Sequence, residues 1–214
     1  MHIEPGVLDA AKIASANVAA LGALGASAWG FVRRPADLAK TLLAALFFSI
    51  FMQVWHMPVG PSELHLIGAS AIYFTFGFLP TLFGFALGLA LQGLMFEPQD
   101  LVHLGVNSLS LMVPLIAVHA AFGRRFFSGV ETRWSSVLKF DAAYYAGVVA
   151  MVGFWLALGQ EPTPLQSWAR FAASYLPLVA LEPLFTLAVL KGLKRFEGSA
   201  PVRTLTIAPQ LRLA

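Results

Sequence analysis

Leu101–Phe122 reads LVHLGVNSLSLMVPLIAVHAAF, 22 residues without a single Asp, Glu, Lys or Arg. About 20 apolar residues in a helix cross the hydrocarbon of a bilayer, so this stretch is long enough to span one. Working outward from it, further apolar segments fall at Val7–Val32, Leu38–Val54, Leu66–Leu79, Pro80–Phe96, Ala142–Leu158 and Phe171–Leu190. The reading is an all-α polytopic membrane protein of about seven transmembrane helices. The third segment has only 14 residues. If it merges with the fourth into a hairpin broken at Pro80, the count becomes six.

Composition agrees with that reading. The chain is 58% hydrophobic and 12% charged, against about 25% charged in an ordinary soluble domain. The excess apolar surface faces lipid. There is no cysteine, which excludes disulfides, thiolate metal sites and thiol catalysis. The first residues carry neither a basic region nor a small-residue cleavage site, so no signal peptide is expected. Met1 is expected to stay in place before the bulky His2. Small residues crowd Ala20–Ser27 and recur at Gly68, Gly77, Gly84 and Gly88; close helix packing accounts for them. Residues 1–196 read as one transmembrane domain that begins with a short N-terminal segment at 1–6. Residues 197–214 read as a polar cytoplasmic tail.

Charge sets the orientation. With the N-terminus outside, the inner segments hold Arg33, Arg34, Lys40, Arg124, Arg125, Arg133, Lys139, Lys191, Lys194, Arg195, Arg203 and Arg212, which is 12 of the 14 basic residues. The positive-inside rule then places the C-terminus in the cytoplasm of a multi-pass inner-membrane protein. This distribution explains the basic residues without nucleic acid. The outer loops carry Glu4, Asp9, Glu63, Glu97, Asp100 and Glu161, a rim that concentrates cations. Ordinary topology determination explains most of these acids as well.

The same outer face carries His2, His56, His65 and His103, and only His119 lies elsewhere. Imidazole suits nickel, copper, zinc and iron-group ions. The Met1 amine, the His2 backbone nitrogen and His2 Nδ1 close a five- and a six-membered chelate ring, supplying three corners of a square. His65 is the best fourth ligand, because it follows the turn-rich Val59-Gly60-Pro61-Ser62-Glu63 and can dip between helices. Ser62 or Glu63 could orient its imidazole, although a solvated Glu63 is the plainer reading. His56 and His103 read as boundary residues. Four nitrogens in a plane suit Ni(II) or Cu(II) and accommodate Co(II); Mg(II) and Ca(II) prefer oxygen and water. Binding requires the amine to lose its proton, so capture is expected to weaken in acid.

Several of these stretches resemble one family. Met1-His2-Ile3-Glu4-Pro5-Gly6 is similar to the M-H-I-x-x-G start of the CbiM/NikM family, the cobalt- and nickel-specific membrane subunits (S-components) of energy-coupling factor transporters. His65-Leu66-Ile67-Gly68 resembles its H-x-x-G. Gln92-Gly93-Leu94-Met95-Phe96 and Leu104-Gly105-Val106-Asn107 resemble its Q-x-L-x-F and L-G-x-N. The likeness covers residues 1–120 and weakens beyond. It departs at Glu63-Leu64, where small or hydroxyl residues are usual, in a loop one residue longer. The resemblance implies capture of Co(II) or Ni(II) as transported substrate by Met1, His2 and His65, with Gln92 and Asn107 in support and no organic cofactor. It also implies ATPase subunits, a coupling transmembrane subunit and a small accessory membrane protein as partners.

Other classes fit less well. The chain has no G-x-x-x-x-G-K-[ST], H-E-x-x-H or G-x-S-x-G, so it neither hydrolyses ATP nor reads as a protease or hydrolase. A stand-alone metal sensor, or a structural protein stapled by a metal, is the alternative. Glu182, within Leu181-Glu182-Pro183-Leu184 of the last segment, is a further functional candidate, because an intramembrane acid is costly. It either pairs with a basic group of a partner or satisfies groups freed by Pro177 and Pro183.

Overall fold

In the computed structural model, the described residues are 2–3, 6–59, 62–128, 131–161 and 163–213, with His2 described by its backbone alone. The chain runs β1 (His2–Ile3), α1 (Ala10–Arg33), α2 (Asp37–Val54), β2 (His56–Val59), β3 (Ser62–His65), α3 (Ala69–Phe76) and α4 (Phe78–Met95). A 3-10 turn at Pro98–His103 leads into α5 (Leu104–Ala121). There follow β4 (Glu131–Thr132), α6 (Trp134–Ala157), α7 (Leu165–Ser174), α8 (Leu176–Arg195), α9 (Ala200–Leu205) and β5 (Arg212–Leu213). Among the described residues, six helices are long and apolar enough to cross a membrane: α1, α2, α4, α5 with its leading turn, α6, and α7 with α8.

The long helices carry apolar residues towards lipid as well as towards the core, as α2 shows. On α2, Thr41, Ala44, Ala45, Phe48 and Met52 are buried, while Leu38, Leu42, Leu46 and Ile50 remain between 46% and 64% exposed. Inside the bundle an aromatic stack joins Tyr73, Phe74, Phe126 and Phe140, with the Tyr73 and Phe140 centroids 4.6 Å apart.

The third apolar segment departs from the expected helix. Its helical part is α3, whose eight residues measure about 12 Å. The break before α4 falls at Gly77, not Pro80. Gly77 has φ +91°, a conformation glycine adopts without penalty. Pro80 sits in the first turn of α4, where a missing N–H costs nothing. Yet α2 and α4 run parallel. Ala44 meets Gly84, and four residues later Phe48 meets Gly88, with Ser49 Oγ donating to the Gly88 carbonyl at 3.0 Å. Two parallel neighbours need a return path between them. Extended Ser62–Gly68 supplies up to about 20 Å of it, and α3 completes it. Gly68, with φ +65°, turns the extended chain into the helix.

The two ends of the bundle differ. At one end lies a small antiparallel sheet in the order β1-β3-β2. At the other, Arg34, Lys40, Arg124, Asp37 and His119 line a cavity of about 400 Å³. The segment after Phe196 folds back on this basic end. Ile207 N–H donates to the Thr75 carbonyl at 2.8 Å, and β5 pairs with β4.

Candidate metal-capture site

The sheet end is built around β3, the extended half of the short crossing. An extended strand entering a helical bundle exposes backbone N–H and C=O groups that must find partners. β2 supplies them on one edge, with His56 opposite His65 and Pro58 opposite Glu63. β1 supplies them on the other, with His2 opposite Glu63 and Ile3 opposite Ser62. The N-terminal strand is pinned from a third side: Ile3 N–H donates to Asn107 Oδ1 at 3.0 Å, with both residues buried. Asn107, expected from resemblance to lie near the site, therefore holds the N-terminal backbone in place.

His65 is 1% exposed. Its Nδ1 faces the Met52 carbonyl at 3.4 Å and its Nε2 lies 3.0 Å from Glu63 Oε2. The other oxygen of Glu63 is 2.8 Å from His56 Nδ1. Glu63 is thus not a solvated acid; its carboxylate bridges two imidazoles, one buried and one half-exposed. The rings of His56 and His65 stack with centroids 5.7 Å apart. Ser62 is buried in β3 opposite Ile3. Close by, burial and the neighbouring Asp100 carboxyl push Glu97 above the usual carboxylate range, within electrostatic reach of Glu63 and His56.

Gln92 is buried in α4, and its Oε1 has no hydrogen-bond partner among the described residues. His103 is buried at the start of α5, with neither ring nitrogen partnered among them. Among the described residues no three His, Asp or Glu side chains group as an ion site. Met1 and the His2 side chain lie outside the described residues. What the fold brings together is His65, Glu63, His56, the His2 backbone and Asn107.

Glu182 belongs to a different place. It is 3% exposed, and its Oε1 accepts from Ser70 N–H at 2.9 Å. Ser70 is the second residue of α3, a helix with no side-chain cap of its own. A carboxylate from α8 therefore satisfies the orphan N–H of another helix and meets the positive end of its dipole. Tyr145 O–H donates to Glu182 Oε2, and the Ser70 hydroxyl donates to Asp141 Oδ2 at 2.9 Å. Asp141 is wholly buried. The contacts run to α3 and to Tyr145, not to groups freed by Pro177 and Pro183. The acid at 182 was legible as anomalous; Asp141 gave no comparable signal, because it sits at the edge of its apolar segment.

Comparison with known proteins gives two matches. A family model described as the cobalt uptake substrate-specific transmembrane region, CbiM, matches residues 2–200. A crystal structure described as that of a transition metal transporter is similar in fold. Its TM-score is 0.72 and its sequence identity 18%, over 94% of this chain and 95% of the other. No curated protein sequence gives a significant match.

Proposed function

Because this chain belongs to the CbiM family of cobalt-uptake transmembrane proteins, we propose that it captures cobalt or nickel at the sheet end of its bundle for uptake into the cell. The sheet end is the outer one and the basic end is cytoplasmic, as the positive-inside rule requires. The observation that carries the reading is the docking of β1 on β3, in register. His2 lies opposite Glu63, diagonal to His65, and diagonal neighbours in such a ladder have Cα atoms about 7–8 Å apart. One ion, bonded to nitrogen at about 2.0–2.1 Å, is then shared by the Met1 amine, the His2 backbone nitrogen and Nδ1, and His65 Nε2.

His65 suits that role. The carbonyl facing its Nδ1 is the kind of acceptor that fixes a ligating imidazole with the other nitrogen forward. Asn107 holds the strand that carries the chelate, and Gln92 supports the site from α4. The chain has no motif for ATP hydrolysis, so power comes from separate ATPase subunits through a coupling transmembrane subunit of the energy-coupling factor type, with a small accessory membrane protein. The ion is cargo, and the reading calls for no organic cofactor.

The test compares cobalt and nickel binding by purified native protein, by a version with one residue added before Met1, and by His2→Ala and His65→Ala. All three changes are expected to abolish tight binding. Native affinity in the extended protein would refute the terminal chelate.

A further inference from the structure

We infer that the cavity at the basic end of the bundle is a binding site for a phosphate group, held between Arg34 and Arg124. The inference does not depend on what the sheet end captures. The cavity lies where α1 and α5 end and α2 and α4 begin, at the level where a bilayer places its headgroups. Its volume is about 400 Å³, ample for a phosphate and part of the molecule that carries it.

The charges in its wall do not balance. Arg34, Lys40 and Arg124 share the wall with a single carboxylate, Asp37. With His119 counted as neutral, two positive charges are in excess. Asp37 is buried and already committed. Its Oδ1 accepts from Lys40 Nζ at 3.0 Å, and its Oδ2 lies 3.7 Å from Arg34 Nε. The guanidinium of Arg124 makes no ion pair or hydrogen bond among the described residues. The first turn of α4 forms another part of the wall and carries no side-chain cap, so the positive end of its dipole adds to the field. Phe76, Leu79 and Phe127 complete a lining that is otherwise largely apolar.

A concave basic site with apolar walls focuses its field on an anion. Phosphate fits the donors best, because a guanidinium pairs with two of its oxygens at once. It is also the anion that a bilayer presents at this depth, and basic pockets between membrane helices bind anionic headgroups. Two sources share the chemistry: the headgroup of a phospholipid, and a free phosphate in the water beside the membrane. The positive-inside rule explains why bases gather at this end, but it asks only for their number and not for their convergence. Arg33 and Arg125 adjoin Arg34 and Arg124 in the chain and do not line the cavity.

That adjacency supplies the experiment. Native protein is compared with two double variants, Arg34→Gln with Arg124→Gln and Arg33→Gln with Arg125→Gln. Both remove two charges from exposed positions, so neither should disturb folding. Native mass spectrometry counts the phosphatidylglycerol and phosphatidylcholine retained by each purified protein, and phosphorus NMR measures binding of inorganic phosphate. Binding is expected to fall by about tenfold or more in the cavity variant and to stay native in its neighbour. Phosphatidylglycerol held in preference to phosphatidylcholine, without inorganic phosphate, assigns the site to a lipid headgroup. Inorganic phosphate held with no preference between the lipids assigns it to a free phosphate. Native protein that holds neither overturns the inference. An equal loss in the two double variants overturns it as well, because the attraction would then belong to the whole basic end.

Discussion

Replacing Glu182 by alanine tests whether the buried acid serves the fold. Its carboxylate accepts from Ser70 N–H and Tyr145 O–H, both in the interior. Alanine strands both donors, and a buried donor left without a partner costs about 1–3 kcal/mol. Two of them give a loss of about 2–6 kcal/mol, the lower end being favoured because a membrane-embedded unfolded chain finds partners of its own. Glu182→Gln keeps an acceptor oxygen within reach of Ser70 and should lose far less. The assay is unfolding of the purified protein in detergent, with hydrogen exchange along α3. The α3 amides should exchange first in the alanine variant. If Glu182→Ala unfolds like native protein and α3 exchange does not change, the capping argument is wrong. If Glu182→Gln is stable but inactive in uptake, the charge itself has a role that the capping argument omits.

Three further outcomes follow from local geometry. Asn107→Ala removes the acceptor of Ile3 N–H; Ile3 exchange should speed by roughly 5–150-fold, the equivalent of about 1–3 kcal/mol, and unchanged exchange would show that the strand is held without it. In Gly84→Ala the new Cβ would lie 2.6 Å from Ala44 Cβ and 3.2 Å from the α2 backbone, so thermal unfolding should reveal about 1–3 kcal/mol of destabilisation, while Gly22→Ala, with nothing near it, should show none. Glu97 is held above the usual carboxylate range by burial and Asp100. Its protonated form is thus favoured on folding: the stability it contributes is present below the unfolded value and is lost as pH rises through the raised one. Glu97→Gln should flatten that part of the stability–pH curve, and an identical curve would refute the assignment.

The long helices were legible because a bilayer demands about 20 apolar residues in each, and Leu101–Phe122 or Leu38–Val54 meets that demand locally. The third crossing was not, because nothing within Leu66–Leu79 states its own structure. Its helix begins where Gly68 takes a left-handed conformation, and its first amides are satisfied by Glu182, 112 residues later. Glu182 itself stood out as an acid in an apolar run, but its partner lay on another helix. The stretch Val59–Glu63 contains Gly60 and Pro61 and reads as a loop; the pairing of the strands on either side, with β1 on the second edge of β3, is a matter of register that the stretch does not state. Likewise the contact of Ile3 with Asn107 spans 104 residues, beyond any local pattern. His65 reads as a candidate ligand from its neighbourhood of turn residues, whereas the bridging of Glu63 between two imidazoles is a product of strand register.

That register ties the proposed site to the fold. An extended segment inside a helical bundle is tolerated only if its backbone is paired. The pairing comes from β1 on one side of β3 and β2 on the other, and these strands carry His2 and His56. The elements that satisfy the buried backbone of the crossing are therefore those that bring the candidate ligands to it. On the far side of Gly68, Glu182 and Asp141 anchor Ser70 and so fix where α3 begins. The position of His65 is then set from above by the sheet and from below by the capped helix. A change that loosens either one should disturb both the crossing and the ion it is proposed to hold.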